Sequence, residues 1–594
     1  MKANEVKLLG LLQGPRQFTI PIYQRPYSWS REECQKLFDD ILLVGKDAAR
    51  PSYFMGSVVY YQESAHAIGT IPASLVIDGQ QRLTTVLLLL TAVARFLHNN
   101  EEPLQDTSSA EIRGLYLTNL YKQGELAQRL LLTKRDKATL ISVVNGNPLP
   151  ESNSERVREN FEFFQEQVAA ANVADLWAGI SKLMVVGVSL EAGVDNPQLI
   201  FESLNSTGKP LDQSDLIRNY VLMGQAKPVQ DDLYKRYWYP MEASFGDDYA
   251  SMFSEYMRDF LTVKLAKLIN IYTVYQTFKN EYATGRVSEG NVEALAKELY
   301  QNARYYVRLR QPEKEEHQEL REALEQLRAF GVTVAYPYLI DAYAACEQGK
   351  LTKAQLAEVV RMIERYVVRR SICEIPTNTL NSTFATFARD LDQEDYFNSV
   401  KEQFLELGYN RRFPLDEEFR NRFVERDAYH ARRTRDYLLS HLANYEQKEH
   451  VNIGNYTVEH IMPQNENVSE AWQAELGPEW EDVHSRYLHT IGNLTLTGYN
   501  SELSDRPFAE KKTMAGGFLT SPIKLNQSVA SEPVWNKQAI LKRANLLADW
   551  AIAIWPAPEV VTAVVVSNEE VDEQQEEDAL AEAGLLEEIQ NLDE

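Results

Sequence analysis

Apolar residues in the first ~225 positions cluster in short runs. Residues 17–23 (QFTIPIY), 53–61 (YFMGSVVYY) and 74–77 (SLVI) are rich in β-branched and aromatic side chains and stop at Pro, Gly or polar positions, which predicts strands. Asp78-Gly79-Gln80-Gln81-Arg82 follows the third run, and LTTVLLLLTAVARFL follows that, predicting a strand, a tight loop and a buried helix. A second unit runs through LMVVGVSL at 183–190, QLIFESL at 198–204, a turn at 205–210 and a helix through DQSDLIRNYVLM. From about 226 to 400 the apolar spacing becomes three and four residues, as in EGNVEALAKELYQNARYYVRLR, which predicts a helical region. From about 411 the chain turns Arg-rich (RRF, FRNRF, HARRTRDYLL) and then gives way to a His- and Asn-containing stretch.

A chain of 594 residues has room for about three to five domains. The expected architecture is an α+β multidomain protein divided at 1–225, 226–410, 411–555 and 556–594. A content of 44% hydrophobic and 25% charged residues argues against a mainly disordered or low-complexity chain. The net charge of -25 speaks at first against a nucleic-acid partner. However, residues 556–594 hold 13 acidic residues and no Lys or Arg, which leaves -12 for the remainder. That tail reads as a solvated, disordered segment. The three cysteines, Cys34, Cys346 and Cys373, are scattered and form no CxxC pair, so buried thiols in a reducing compartment are expected. No secretory signal is read at the start, and the longest apolar run, 86–94, is far shorter than the ~20 residues of a membrane span. A cytoplasmic protein without a membrane partner is expected.

The strongest chemistry lies near the C-terminus. YTVEHIMPQ at 456–464 is followed by IGNLTLTGYN at 491–500 and DRPFAEKK at 505–512. One nuclease class hydrolyses a phosphodiester with a neutral imidazole that deprotonates water and one divalent cation that stabilises charge on the phosphate and the leaving oxygen. His460 is the candidate base. Glu459 and Asn500 supply the oxygen donors that Mg2+ or Mn2+ prefers, and Asn493 could hold the finger in shape through backbone hydrogen bonds. His489 is a weaker candidate for a competing base or a DNA contact. Arg432, Arg433 and Arg435 could grip phosphate or pair with acidic neighbours.

These motifs resemble the HNH (His-Me finger, ββα-metal) nuclease domain at the C-terminus of GmrSD-type restriction proteins, over roughly residues 411–555. The resemblance implies His460 as general base, Asn493 as the middle Asn and Asn500 on the metal side. The segment IPIYQRPYSW at 20–29, VIDGQQRLTT at 76–85 and FESLNSTGKPLDQSDLIRNY at 201–220 resemble the N-terminal domain of the same family, a ParB/sulfiredoxin-like fold marked by DGQQR. That resemblance implies an NTP site, for GTP or ATP, built from Gln24, Arg25, Asp78, Gly79, Gln80, Gln81, Arg82 and Asn205, with Asp78, Gln81 and Arg82 acting in hydrolysis. Physically, Gly79 allows a sharp turn and Arg25 and Arg82 can fork onto phosphate oxygens. Asp78 could hold magnesium or a ribose hydroxyl, and Gln80 and Gln81 could orient nucleotide or water. Thr207, Gly208, Asp215 and Asn219 are weaker members, and Tyr27 and Trp29 could stack on a base or pack internally. No Walker loop competes, since no GK pair is followed by Ser or Thr.

Together the resemblances imply a nucleotide-regulated, modification-dependent DNA endonuclease (type IV restriction) of anti-phage defence, acting on modified phage DNA and able to self-associate. Two alternatives stay open: a phosphorothioate-sensing nicking protein, and a ParB-like nucleotide-switched DNA sensor with an inactive nuclease domain.

Overall fold

The computed structural model describes residues 1–62, 71–100, 104, 106–191, 194–205, 212–287, 291–448 and 451–559. The acidic run of the tail, Thr207 and Gly208 lie outside the described residues. Elements are of mixed α and β type, and the chain divides into two compact units. The first comprises Met1–Ser254 with Asn291–Ala296, the second Glu255–Gly290 with Lys297–Glu594.

The first unit is built on one six-stranded sheet. Its strands β1 (Lys2–Lys7), β2 (Gln17–Thr19), β3 (Tyr53–Gln62), β4 (Ala73–Asp78), β5 (Leu130–Leu131) and β6 (Leu183–Leu190) lie in the order β1-β6-β3-β4-β2-β5. β3 pairs antiparallel with β4 and parallel with β6, and β2 runs parallel to β4 and β5. The expected strand at 17–23 stops at Thr19, because Pro21 lacks an N–H for the ladder and the Gln24 amide turns back to the Pro21 carbonyl at 3.0 Å. Residues 198–204 lie in the helix Pro197–Asn205. β1 carries no apolar pattern because, as an edge strand, it is almost wholly exposed.

The helix Gln80–Asn100 follows β4 and is buried on every face from Leu83 to Ala94. An all-apolar helix must be surrounded, and this one is the centre of the unit's core. Its threonines cost little there: Thr84, Thr85 and Thr91 each return their hydroxyl to the carbonyl four residues back, at 2.7–2.9 Å. The helices Arg31–Lys46 and Val173–Ser181 cross with backbone against backbone at Gly45 and Gly179. A Cβ on Gly45 would fall on the Asp175 carbonyl oxygen, and one on Gly179 on that of Ile41.

Among the described residues the second unit is helical apart from one hairpin, β7 (Thr457–His460) and β8 (Leu494–Thr497). Arg369 and Arg370, near the end of the helix Lys353–Ile372, are fully buried and tie the C-terminal segment to that helix. Arg369 donates to the Trp555 and Pro414 carbonyls and to Asp416 at 2.6–2.9 Å, and Arg370 donates to the carbonyls of Asn410 and Pro376. The hairpin thus sits on a scaffold fastened at both of its chain ends. No helix among the described residues is long and apolar enough to cross a membrane.

The glycine crossing yields a test. Gly179→Ala should lower the stability of the full chain by about 1–3 kcal/mol or more, because a methyl group has no space between the helices. Gly224→Ala, where an added Cβ meets nothing within 4 Å, should be near neutral by denaturant melts. Equal effects would contradict the packing.

Candidate functional site

In the first unit the DGQQR segment turns from β4 into the central helix. Gly79 makes the turn at φ +94°, a conformation that favours glycine, and a Cβ there would lie 2.9 Å from the Ser57 carbonyl oxygen. Gln80 donates to the Arg25 carbonyl at 3.1 Å and Gln81 to that of Pro26 at 3.3 Å, while the Gln81 side-chain oxygen accepts from the Ser28 amide at 2.9 Å. Gln24 donates back to the Ile77 carbonyl at 2.9 Å. The three glutamines therefore stitch residues 24–28 to the turn with their amide groups. Tyr27 is packed internally, its hydroxyl 2.7 Å from that of Thr85 and its amide donating to Asp136 at 2.7 Å.

Arg25, Gln80, Gln81, Thr84 and Asp136 line a narrow cleft beside this loop. Asp78 and Arg82 are partly exposed, 3.6 Å apart, with Arg82 donating to the Ser57 carbonyl at 3.0 Å. Gly56 makes room for that guanidinium, since a Cβ there would lie 3.1 Å from its central carbon. The third motif reaches the first through Arg218, a residue missed by sequence reasoning. Arg218 is buried on the helix Gln213–Met223, pairs with Asp215 and with Glu242, and donates to the Tyr23 carbonyl at 2.8 Å. Burial pushes the Asp215 carboxyl up, against the pull of Arg218 and Arg25. Asn219 is buried beside it on the same helix. Asn205 closes the helix Pro197–Asn205, with its side chain outside the described ones.

In the second unit the two C-terminal motifs form the hairpin, with Glu459 opposite Thr495 and His460 opposite Leu494. Asn493 is wholly buried and spends its amide on backbone: its oxygen accepts from the Met462 amide at 2.8 Å, and its nitrogen donates to the Met462 and Leu488 carbonyls at 3.1 and 2.9 Å. The same oxygen accepts from the Trp535 indole at 3.1 Å. Gly492 lets the helix Lys537–Ile554 approach, since a Cβ there would lie 2.5 Å from the Ile540 carbonyl oxygen. Arg543 of that helix is buried and donates to the Ile491, Gly492 and Leu494 carbonyls at 2.8–3.1 Å. Asn500 begins the helix Asn500–Leu503 and donates to the Val458 carbonyl at 2.7 Å.

Two further residues complete the site. Lys511, in the DRPFAEKK segment, is wholly buried and donates to Glu459 at 2.6 Å and to the His460 and Ile461 carbonyls at 3.1 and 3.2 Å. Burial pushes the Glu459 carboxyl up and the Lys511 ammonium down, and their mutual attraction opposes both shifts. On the other side, His489 places Nδ1 3.2 Å from His460 Nε2. Tyr429 stacks on the His489 ring and meets the His460 ring edge-on at 4.5 Å, and Arg435 lies over the Tyr429 ring at 5.0 Å. Burial, then His489, Lys511 and Arg435, push the His460 imidazole down to about 3, so it is held neutral. Arg435 is mostly buried, whereas Arg432 and Arg433 are exposed.

The donor chemistry suits a hard divalent cation in part. Among the described residues Glu459 Oε2 and the Asn500 amide oxygen make no hydrogen bond, while Glu459 Oε1 is taken by Lys511. No group of three His, Cys, Asp or Glu side chains able to hold a metal occurs among the described residues. An amide oxygen and a single carboxylate oxygen, with water and substrate oxygens completing the shell, match the sparse protein ligation that Mg2+ accepts.

Comparison with known proteins places both sites inside matched domains. Residues 8–222 match the model of the GmrSD restriction endonuclease N-terminal domain, and residues 413–550 match that of the C-terminal domain. Both are restriction-endonuclease domains, so the substrate class is DNA. The chain belongs to the GmrSD family of type IV restriction endonucleases. No curated protein matches the chain.

Two outcomes follow from the buried groups. Lys511→Met should cost about 3–5 kcal/mol by stranding Glu459, and Glu459→Gln added to it should recover part of that loss in denaturant melts; no recovery would contradict the pairing. An unfolded His460 takes up a proton below 6.5 that the folded one refuses until about 3. Stability is therefore complete above 6.5 and falls as pH drops through that window. Melts between pH 7 and 4.5 should fall more steeply for wild type than for His460→Gln, and equal slopes would refute the burial.

Proposed function

We propose that the protein is a nucleotide-regulated endonuclease that cuts modified phage DNA in anti-phage defence. Its N-terminal domain hydrolyses an NTP, GTP or ATP, and its C-terminal domain hydrolyses phosphodiesters in the manner of an HNH (His-Me finger) nuclease. The observation that carries this reading is a buried His460 at the end of a two-stranded hairpin, next to Glu459 in the chain, with Asn500 bound to the Val458 carbonyl of the same strand and Asn493 fixing the chain that follows.

In this reading His460 accepts the proton of the attacking water, which a charged imidazole could not do. Asn500 and the second oxygen of Glu459 would hold Mg2+ or Mn2+, which when bound stabilises charge on the phosphate and the leaving 3′ oxygen. Lys511 pairs with Glu459 and opposes the upward push of burial on its carboxyl, and it fixes the chain just after the base. In the first unit, the glutamines of the DGQQR turn hold the loop that carries Arg25, and Arg82 stays partly exposed beside Asp78. Two guanidinium forks suit a polyphosphate, with Asp78 placed to meet its cation or a ribose hydroxyl. Nucleotide occupancy then shifts the population of cutting-competent molecules.

The purified chain should be incubated with unmodified plasmid and with glucosylated phage DNA, with Mg2+, Mn2+ or EDTA, and with or without GTP or ATP. Cutting of the modified DNA that stops in EDTA and changes with nucleotide is expected. Arg82→Ala should remove the nucleotide effect. DNA binding without cutting of either substrate would favour a nucleotide-switched sensor, and cutting indifferent to nucleotide in both proteins would sink the regulatory half.

A further inference from the structure

The nuclease reading leaves one contact unused, the pairing of the two imidazoles. His460 Nε2 and His489 Nδ1 are 3.2 Å apart, and two neutral imidazoles can share that hydrogen bond in two ways. If His489 Nδ1 donates, His460 Nε2 is the acceptor and Nδ1 of His460 carries the proton, so no lone pair remains to take one from water. If His460 Nε2 donates, the lone pair on its Nδ1 is free. Only the second arrangement makes His460 a base.

We propose that His489 is the positioning residue of the nuclease site: its Nδ1 accepts from His460 Nε2, and so fixes both the tautomer and the orientation of the base. The surroundings hold His489 for this. Its carbonyl accepts from the Ala428 amide at 2.9 Å, which anchors it to the loop carrying Tyr429 and His430. Tyr429 stacks on its ring at 5.3 Å and 15°, and the His430 ring meets it edge-on at 4.7 Å. His430 is in turn held by Asp427, Nδ1 to carboxylate, at 2.7 Å, and by the geometry of a turn in which the Asp427 carboxylate accepts from the Tyr429 and His430 amides. The stacked Tyr429 and the edge-on His430 restrict how that ring can turn away from His460.

The proposal rests on the reading of His460 as the base, and the test separates the two. Single-turnover cutting and DNA affinity would be measured for full-length wild type, His460→Ala, His489→Ala, His489→Asn and His489→Gln, on supercoiled plasmid and on glucosylated phage DNA. An Asn side chain puts an acceptor oxygen close to the position of imidazole Nδ1, whereas Gln reaches the position of Nε2. His489→Ala and His489→Gln should lose about 10–100-fold in cutting rate with DNA affinity changed less than about twofold, and His489→Asn should stay within about threefold of wild type. Asn and Gln are both polar and of similar size, so their contrast stands even if the Ala variant folds poorly. A loss in affinity with the rate unchanged would make His489 a DNA contact and overturn the proposal. So would equal rates for Asn and Gln, or a rate for His489→Ala within twofold of wild type. Cutting retained in His460→Ala, or absent in wild type, would overturn the reading beneath it.

Discussion

A buried ammonium organises the C-terminal site. Lys511 reaches Glu459 and the carbonyls of His460 and Ile461, so the last residue of β7 and the residue after it are held by one charge. A carboxylate and an ammonium buried together gain little net stability, because desolvation offsets most of their attraction. What they gain is geometry. With Lys511 in place, Glu459 stays at the strand's end, His460 cannot rotate with its backbone, and the chain leaves the hairpin in one direction. Arg543 does the same for the other strand, satisfying three carbonyls around Gly492 without any acidic partner.

Much of each motif builds the site rather than acting in it. In IGNLTL the glycine admits a helix, the asparagine ties two loops and the leucines and isoleucine fill core. In DGQQR the glycine turns, the two glutamines hold a neighbouring loop, and Asp78 and Arg82 stay partly exposed. Polar side chains that sit buried and fully hydrogen-bonded rigidify their surroundings, since any lost bond leaves a buried group unpaired. The groups proposed to act, His460 in one unit and Arg82 in the other, are placed by these supports.

The sequence made local features legible. The strands at 53–61 and 74–77 and the helix after DGQQR follow from residue type and spacing over a few turns, and the two C-terminal motifs are joined by the family resemblance. Three kinds of feature were not legible. β1 has no alternation to betray it, because an exposed edge strand has no face to bury. Arg218, Arg369, Arg370 and Arg543 look like ordinary surface arginines on helices, and only tertiary packing buries them beside distant carbonyls. Lys511 lay inside a segment already singled out, yet its partner is 52 residues away and no spacing rule links them. His489 shows the limit most clearly: beside the IGNL run it read as a competing base or a DNA contact, and the structure sets it against His460.

The most direct test of the account is the single-turnover rate at which purified His460→Ala cuts a DNA that wild type cuts, with binding of that DNA measured in parallel. Loss of the base should slow cutting by about 10²–10⁴-fold while binding is retained. A variant that cuts at the wild-type rate would show that the hairpin histidine is not the base, and the chemistry assigned to the C-terminal domain would have to lie elsewhere.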